Sequence, residues 1–198
     1  MSLEKLLKYP KIYRFFQSIL RKDKFYTRLS EYLEKNYPNH SIVDIGCGDA
    51  EIASYFDMKT RYIGIDISKK YVDSAKKKYP YFKFYQMDIT KNNSLSLTNS
   101  VFLLLGVIHH IDDEKSKNLI HQLKLIDGSV IIALDGVRVK NQHVIAKLLM
   151  KMDRGKFIRT KPQYEKIFVD FKFYMRDKPL RLPYDHIISV YNTKADLF

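Results

Sequence analysis

The stretch Val43-Asp44-Ile45-Gly46-Cys47-Gly48-Asp49-Ala50 decides how the chain is read. The apolar run Ile42, Val43 and Ile45 stops at a glycine pair, and a helical pattern over Ala50–Phe56 follows. A strand that runs into Gly-x-Gly turns tightly and leaves bare backbone for a ligand to approach. The next apolar run, Tyr62 to Ile65, ends at Asp66 and leads through Ser68 into a lysine-rich helix reaching Tyr79. A third, alternating run over Phe82–Gln86 leads to Asp88. A glycine turn is thus followed by an acidic residue at each of two successive strand ends.

The same alternation continues outward. Val101–Val107 is nearly continuous apolar sequence, the mark of a central parallel strand buried on both faces. Asp113–Leu125 reads as a helix and Val130–Leu134 as a strand. Strand and helix patterns alternate throughout 41–135, which predicts an α/β, doubly wound, Rossmann-like, mostly parallel sheet with helices on both faces. Ahead of it, Leu3 to Leu20 and Phe25 to Leu33 read as amphipathic helices forming a cap. Behind it come a helix over Asn141–Met152, a loop over Arg154–Gln163, and strands at Ile167–Tyr174 and Ile187–Tyr191. These last two are expected as an antiparallel pair on the sheet edge. The whole is read as one domain: cap 1–38, core 39–135, and a helix, loop and final strands over 136–198.

With 198 residues, 45% hydrophobic and 29% charged, the composition is globular. The single cysteine, Cys47, excludes a disulfide scaffold and a multi-cysteine zinc site. No stretch approaches the roughly 18 apolar residues of a membrane span, and no continuous apolar signal segment opens the chain. A cytoplasmic protein, monomer or homodimer, is the expectation. Net charge is +13, but residues 41–135 are neutral, while 1–40 carry +5 and 136–198 carry +8. Basic flanks of this kind steer an anionic substrate or nucleic acid towards a protein, and lysine also decorates ordinary solvated surface.

The ligand of the glycine turn is a dinucleotide or S-adenosylmethionine. The dinucleotide fingerprint G-x-G-x-x-G needs a third glycine, and here Asp49-Ala50-Glu51 follows Gly48. Asp44 also places a carboxylate where a pyrophosphate would lie. That carboxylate suits the cationic amino group and sulfonium of S-adenosylmethionine. The stretch resembles the first motif, D-x-G-C-G, of class I S-adenosylmethionine-dependent methyltransferases. The resemblance covers about 40–135 and continues in Gly106-Val107-Ile108-His109-His110-Ile111-Asp112-Asp113, similar to the fourth-strand motif of members acting on small molecules. It implies that Asp44, Gly46, Cys47 and Gly48 shape the methionine end of the cofactor pocket. Asp66 would hold the ribose, Ile67 would pack on the adenine, and Asp88 with Ile89 would meet its edge. Gly106 and Val107 would line the reacting end.

Beyond the cofactor, His110 and His109 follow the most apolar strand and are the candidate bases for a hydroxyl acceptor. Asp135, at the next strand end, is a candidate for orienting the acceptor. Arg154 and Arg159, around Gly155 and Lys156, have the chemistry to clamp phosphate or carboxylate. Tyr164 and Tyr13 are further candidate acceptor contacts. Cys47 sits in the cofactor turn and reads as a small space-filling residue. No metal-ligand set is expected. The leading functional reading is O-methylation of a small metabolite such as a sugar or lipid precursor, the basic flanks suggesting one that bears phosphate or carboxylate. Alternatives are an RNA or protein methyltransferase, favoured by charge but not by any nucleic-acid module, and a non-catalytic binding or assembly protein of the same fold.

Overall fold

The computed structural model describes residues 23–91, 97–153, 155–176 and 185–194. The first expected helix, Leu3 to Leu20, lies outside the described residues, as does most of the expected cap. Its second part is present as α1 (Asp23–Asn36). Then follow β1 (Ser41–Ile45), a 3-10 turn (Glu51–Tyr55), β2 (Tyr62–Asp66), α2 (Lys69–Lys78) and β3 (Lys83–Gln86). The second half holds β4 (Ser100–Leu105), a 3-10 turn (Ile108–His110), α3 (Asp113–Lys124), β5 (Val130–Arg138) and α4 (Val144–Met152). The chain closes with β6 (Arg159–Thr160), α5 (Lys161–Glu165), β7 (Lys172–Arg176) and β8 (His186–Tyr191).

The strands form one sheet in the order β3-β2-β1-β4-β5-β8-β7, with β6 paired to the far end of β5. Strands β1 to β5 are mutually parallel, whereas β8 runs antiparallel to both β5 and β7. The connections reverse direction across the sheet at β1 and β4. Crevices outside the carboxyl ends of strands at such a switch are where open α/β sheets bind ligands.

Period-two alternation divides the core between the two sheet faces. On β4, Val101 and Leu103 point to the face covered by α1 and α2, where they join Leu29, Leu33, Val72 and Ala75. Phe102 and Leu104 point to the opposite face and pack with Leu119, Ile120 and Leu123 of α3 and with Tyr164. All four of these β4 side chains are fully buried. The helices end where local chemistry ends them. Asp112 caps α3 by accepting the backbone N–H of Lys115 at 2.9 Å, and Asp113 and Glu114 sit in the first turn, against the positive end of the helix dipole.

Three expectations are corrected. The helix after the glycine turn is a single 3-10 stretch, because Ala50 stands in the left-handed region at φ 53° and the chain turns again by Phe56. Ile167 and Phe168 belong to a turn packed into the core, so β7 begins only at Lys172. The loop expected over Arg154–Gln163 contains β6 and the start of α5, whose Thr160/Gln163 capping box and Pro162 begin the helix.

Gly64 sits opposite Phe84 in the β2–β3 pairing, and a Cβ there would lie 2.5 Å from the Phe84 ring. Phe84 is itself buried in the aromatic group with Tyr62. Gly64→Ala is therefore expected to destabilise the protein by roughly 1–3 kcal/mol, the cost of overpacking a close-packed core, read from urea denaturation. An unchanged midpoint would mean that the ring has room to move.

Candidate functional site

Three hydrogen bonds tie the glycine turn to β2. Gly46 and Cys47 donate their backbone N–H groups to the Ile65 carbonyl at 2.7 and 3.0 Å. Gly48 donates to Asp66 Oδ2 at 2.9 Å, while the other oxygen of the same carboxylate accepts the Ser68 N–H at 2.8 Å. Asp66 thus joins the turn after β1 to the start of α2. Gly46 takes φ 70° and lies so close to Val107 that a Cβ would sit 2.7 Å from its Cγ2. Gly48, at φ 54°, has nothing within 4 Å of where a Cβ would be, so this part of the turn faces open space. Ile67, which lines the same cleft, has 65% of its surface exposed.

Asp44 lies beneath the turn, 4% exposed, and accepts a hydrogen bond from Tyr62 Oη at 2.5 Å. Burial drives its pKa up to about 7, against the opposing effect of the Tyr62 hydrogen bond and with a smaller push from the Asp66 charge. Cys47 is raised too, by burial and then by Asp44, which favours the thiol over the nucleophilic thiolate. Asp88 differs. Thr90 donates to it through its hydroxyl and its backbone at 2.7 and 3.1 Å, and Lys91 approaches at 3.3 Å, which lowers its pKa.

The opposite end is built by the loops after β4 and β5. Gly106 (φ 75°) donates to the Leu134 carbonyl at 2.7 Å, and the chain then winds through Ile108–His110. His109 is nearly buried; its Nδ1 lies 2.6 Å from Asp135 Oδ1 and its Nε2 3.4 Å from Asp153 Oδ1. Burial disfavours its charged form, but the two carboxylates outweigh that and raise its pKa to about 10. His110 stacks beside it, ring centroids 4.2 Å apart, with its own ring exposed. The segment after α4 holds this pair from outside. Phe157 donates to the His109 carbonyl at 2.9 Å, and Gly155 lies against the imidazole, where a Cβ would fall 1.9 Å from Cδ2.

All ten residues expected at the cofactor line one cleft of about 1080 Å³ together with His109, His110 and Asp135. That is at the upper end for ligand pockets, with room for a cofactor and a second small molecule. Lys156, expected as part of the cation cluster around Gly155, also lines it, as do Tyr26, Asp153, Phe157 and His186, which were not anticipated. Asp153 in particular carries no local signal, since only the path of α4 brings it to His109. Two expected acceptor contacts are corrected. Arg159 is 3% exposed and fully engaged: it donates to the carbonyls of Ile108, Phe157 and Ile111 at 2.9, 2.9 and 2.7 Å and pairs with Asp113 at 2.7 Å. Tyr164 is completely buried on the far side, its hydroxyl donating to the Gly136 carbonyl at 3.1 Å. Neither reaches the cleft, because β6 and α5 pack under the acceptor loops. Tyr13 and Arg154 lie outside the described residues.

Residues 42–126 match the family model of a methyltransferase domain. Over that stretch the chain is similar to methyltransferase domains. A protein of Invertebrate iridescent virus 6 designated methyltransferase 235L is 28% identical over 130 residues, covering 60% of this chain and 45% of the viral protein. This chain therefore spans less than half the length of that relative. Human N-acetylserotonin methyltransferase in complex with S-adenosylmethionine superposes with a TM-score of 0.65 at 17% identity, over 90% of this chain and 54% of that one. Magnesium protoporphyrin IX methyltransferase from Synechocystis PCC 6803, with S-adenosylhomocysteine bound, gives 0.60 at 19% identity, over 88% and 82%. At these identities the structural likeness establishes the fold.

Arg159 acts as a cross-tie beneath the loop after β4. Arg159→Met is expected to leave at least one buried carbonyl without a donor, costing roughly 1–3 kcal/mol for each that water does not reach, seen in chemical denaturation. A residue serving only as a substrate clamp would leave stability unchanged. Asp44 makes a second prediction. Its folded pKa of about 7 exceeds its ordinary value of 3.8, so the native state binds the extra proton between those limits. Its contribution to stability falls as pH rises from about 4 to 7, then levels. Denaturation across this range is expected to show Asp44→Asn gaining on the unmodified protein; parallel curves would place the ionised carboxylate in a more polar setting.

Proposed function

We propose that the protein is an S-adenosylmethionine-dependent methyltransferase that O-methylates a small metabolite, one with phosphate or carboxylate such as a sugar or lipid precursor. The observation that carries this reading is the Asp66 bridge. One carboxylate pins the glycine turn to α2 through Gly48 and Ser68, beside open backbone and an exposed Ile67. Those residues fit the cofactor: Asp66 for the ribose hydroxyls, Ile67 against the adenine with Asp88 and Ile89 at its edge, and Asp44 beneath the cationic end. A buried carboxylate with a raised pKa is a group awaiting a positive charge. A pyrophosphate in the same position would be repelled, which speaks against a dinucleotide.

When bound, the cofactor supplies an electrophilic methyl carbon on sulfur. An acceptor hydroxyl aligned with that carbon would give its proton to a base of this chain, a role for which the exposed His110 imidazole is placed. The chain's part is alignment and handling of the proton. Gly106 and Val107 form the floor at the reacting end, and the His109–His110 pair stands beside it. Lys156 and Phe157, which line this end, offer a cation for an anionic acceptor and an apolar wall. The net charge of +13 would serve an RNA acceptor as well, but residues 41–135, which supply most of the cleft, are neutral in sum.

Calorimetry separates these readings. S-adenosylmethionine and S-adenosylhomocysteine are expected to bind, NAD is not, and Asp66→Ala is expected to weaken binding at least about tenfold, roughly 1.4 kcal/mol. A folded protein that binds neither S-adenosyl ligand would overturn the assignment. Labelled-methyl transfer to a panel of hydroxylated acids, sugar phosphates and RNA then reads the acceptor class; binding without transfer to any of them would favour a non-catalytic role.

A further inference from the structure

The cluster at the acceptor end has more ligating chemistry than proton transfer requires. His109, His110 and Asp153 each offer one ligand atom, and the three atoms lie within 4.8 Å of one another. We propose that His109 Nε2, the His110 imidazole and the Asp153 carboxylate bind a divalent transition-metal ion of the zinc type at the acceptor end of the cleft. Three independent observations lead there.

The first is spacing. His109 Nε2 and Asp153 Oδ1 are 3.4 Å apart, longer than the roughly 2.7–2.9 Å of a charge-assisted hydrogen bond. Two ligands of one tetrahedral ion with bonds of about 2.0–2.1 Å stand about 3.3 Å apart. The second is orientation. Asp135 Oδ1 takes the Nδ1 side of the same ring at 2.6 Å and also accepts the His109 backbone N–H at 3.2 Å. A carboxylate on one ring nitrogen directs the other at the ion and strengthens it as a donor, the usual outer arrangement of a metal-bound histidine.

The third is charge. Two carboxylates close on one imidazole, so the trio carries at least one unbalanced negative charge even with the ring protonated. Asp135 is 2% exposed, and its Oδ2 has no hydrogen-bond partner among the described residues. A buried charge without compensation is costly, and a divalent ion in place of the Nε2 proton brings the trio to neutrality. Two imidazoles and one carboxylate suit zinc, iron or cobalt rather than magnesium or calcium, which prefer oxygen alone.

Three protein ligands leave a fourth position, and His110 and Asp153 both line the cleft. An oxygen of the acceptor, hydroxyl or carboxylate, fits that position, and a hydroxyl held there loses its proton more readily. This role rests on the methyltransferase reading; ion binding does not.

The test uses the full chain after chelator treatment, titrated with Co2+ as a spectroscopic probe. One equivalent is expected to bind with the visible bands of a low-coordinate site, and Zn2+ is expected to displace it. His110→Ala and Asp153→Asn are each expected to abolish the bands, and Asp135→Asn to weaken binding about 10–100-fold. His110 is exposed, and circular dichroism checks that its substitution keeps the fold; Asp153→Asn then serves as the second witness. Absence of stoichiometric binding by the folded chain, or bands unchanged in both ligand variants, overturns the site. S-adenosylhomocysteine calorimetry on the same samples keeps the outcomes apart, because loss of the ion site leaves cofactor binding in place.

Discussion

Strand β1 is hydrogen-bonded along its length by parallel partners on both sides, β2 and β4, and the geometry of the cleft follows from that constraint. Parallel pairing delivers three strand ends to one edge. The loop leaving each strand then has to turn in the narrow space between helices on opposite faces. Gly46 meets this by approaching Val107 more closely than any side chain permits, and Gly106 by turning with a positive φ onto β5. The turn after β1 hangs on β2 through the Ile65 carbonyl and the Asp66 carboxylate, and the turn after β4 hangs on β5. A shift of one strand against its neighbour would disconnect both ends of the cleft.

The two ends hold their charges differently. At the cofactor end Asp44 is buried with one phenol for company, so its ionised form is costly until a cation arrives. At the acceptor end charges are held in contact: His109 between Asp135 and Asp153, and Arg159 beneath, spanning three carbonyls and Asp113. The first arrangement favours capture of a positively charged group. The second ties the loop after β4 to the segment after α4 through His109, Asp153 and Phe157.

The central sheet was legible because buried parallel strands write themselves as short apolar runs, and each run here ends at or beside a residue that lines the cleft: Gly46, Asp66, Asp88, Gly106, Asp135. The ten residues expected at the cofactor share one cleft because they all stand at such ends. The expectation weakened where residues act through distant partners. Arg154, Gly155, Lys156 and Arg159 looked like an anion clamp, since a cluster of cations near a glycine has the same composition whether it faces solvent or carbonyls. Only the packing of β6 against β5 shows that Arg159 points inward. Tyr164 misled for the same reason, its hydroxyl closing a backbone bond beneath the cleft.

Local sequence therefore determined the alternating α/β order, the glycine turn and the row of acidic strand ends, because those depend on side-chain period and backbone freedom within a few residues. The tertiary structure alone decided the His109 end of the cleft. Asp153 reaches His109 across more than forty positions of chain, Asp135 across 26, and Arg159 reaches Ile108 across 51. No local pattern encodes such meetings; they arise where the sheet's parallel register and the return of the chain through β6 bring separate loops to one edge.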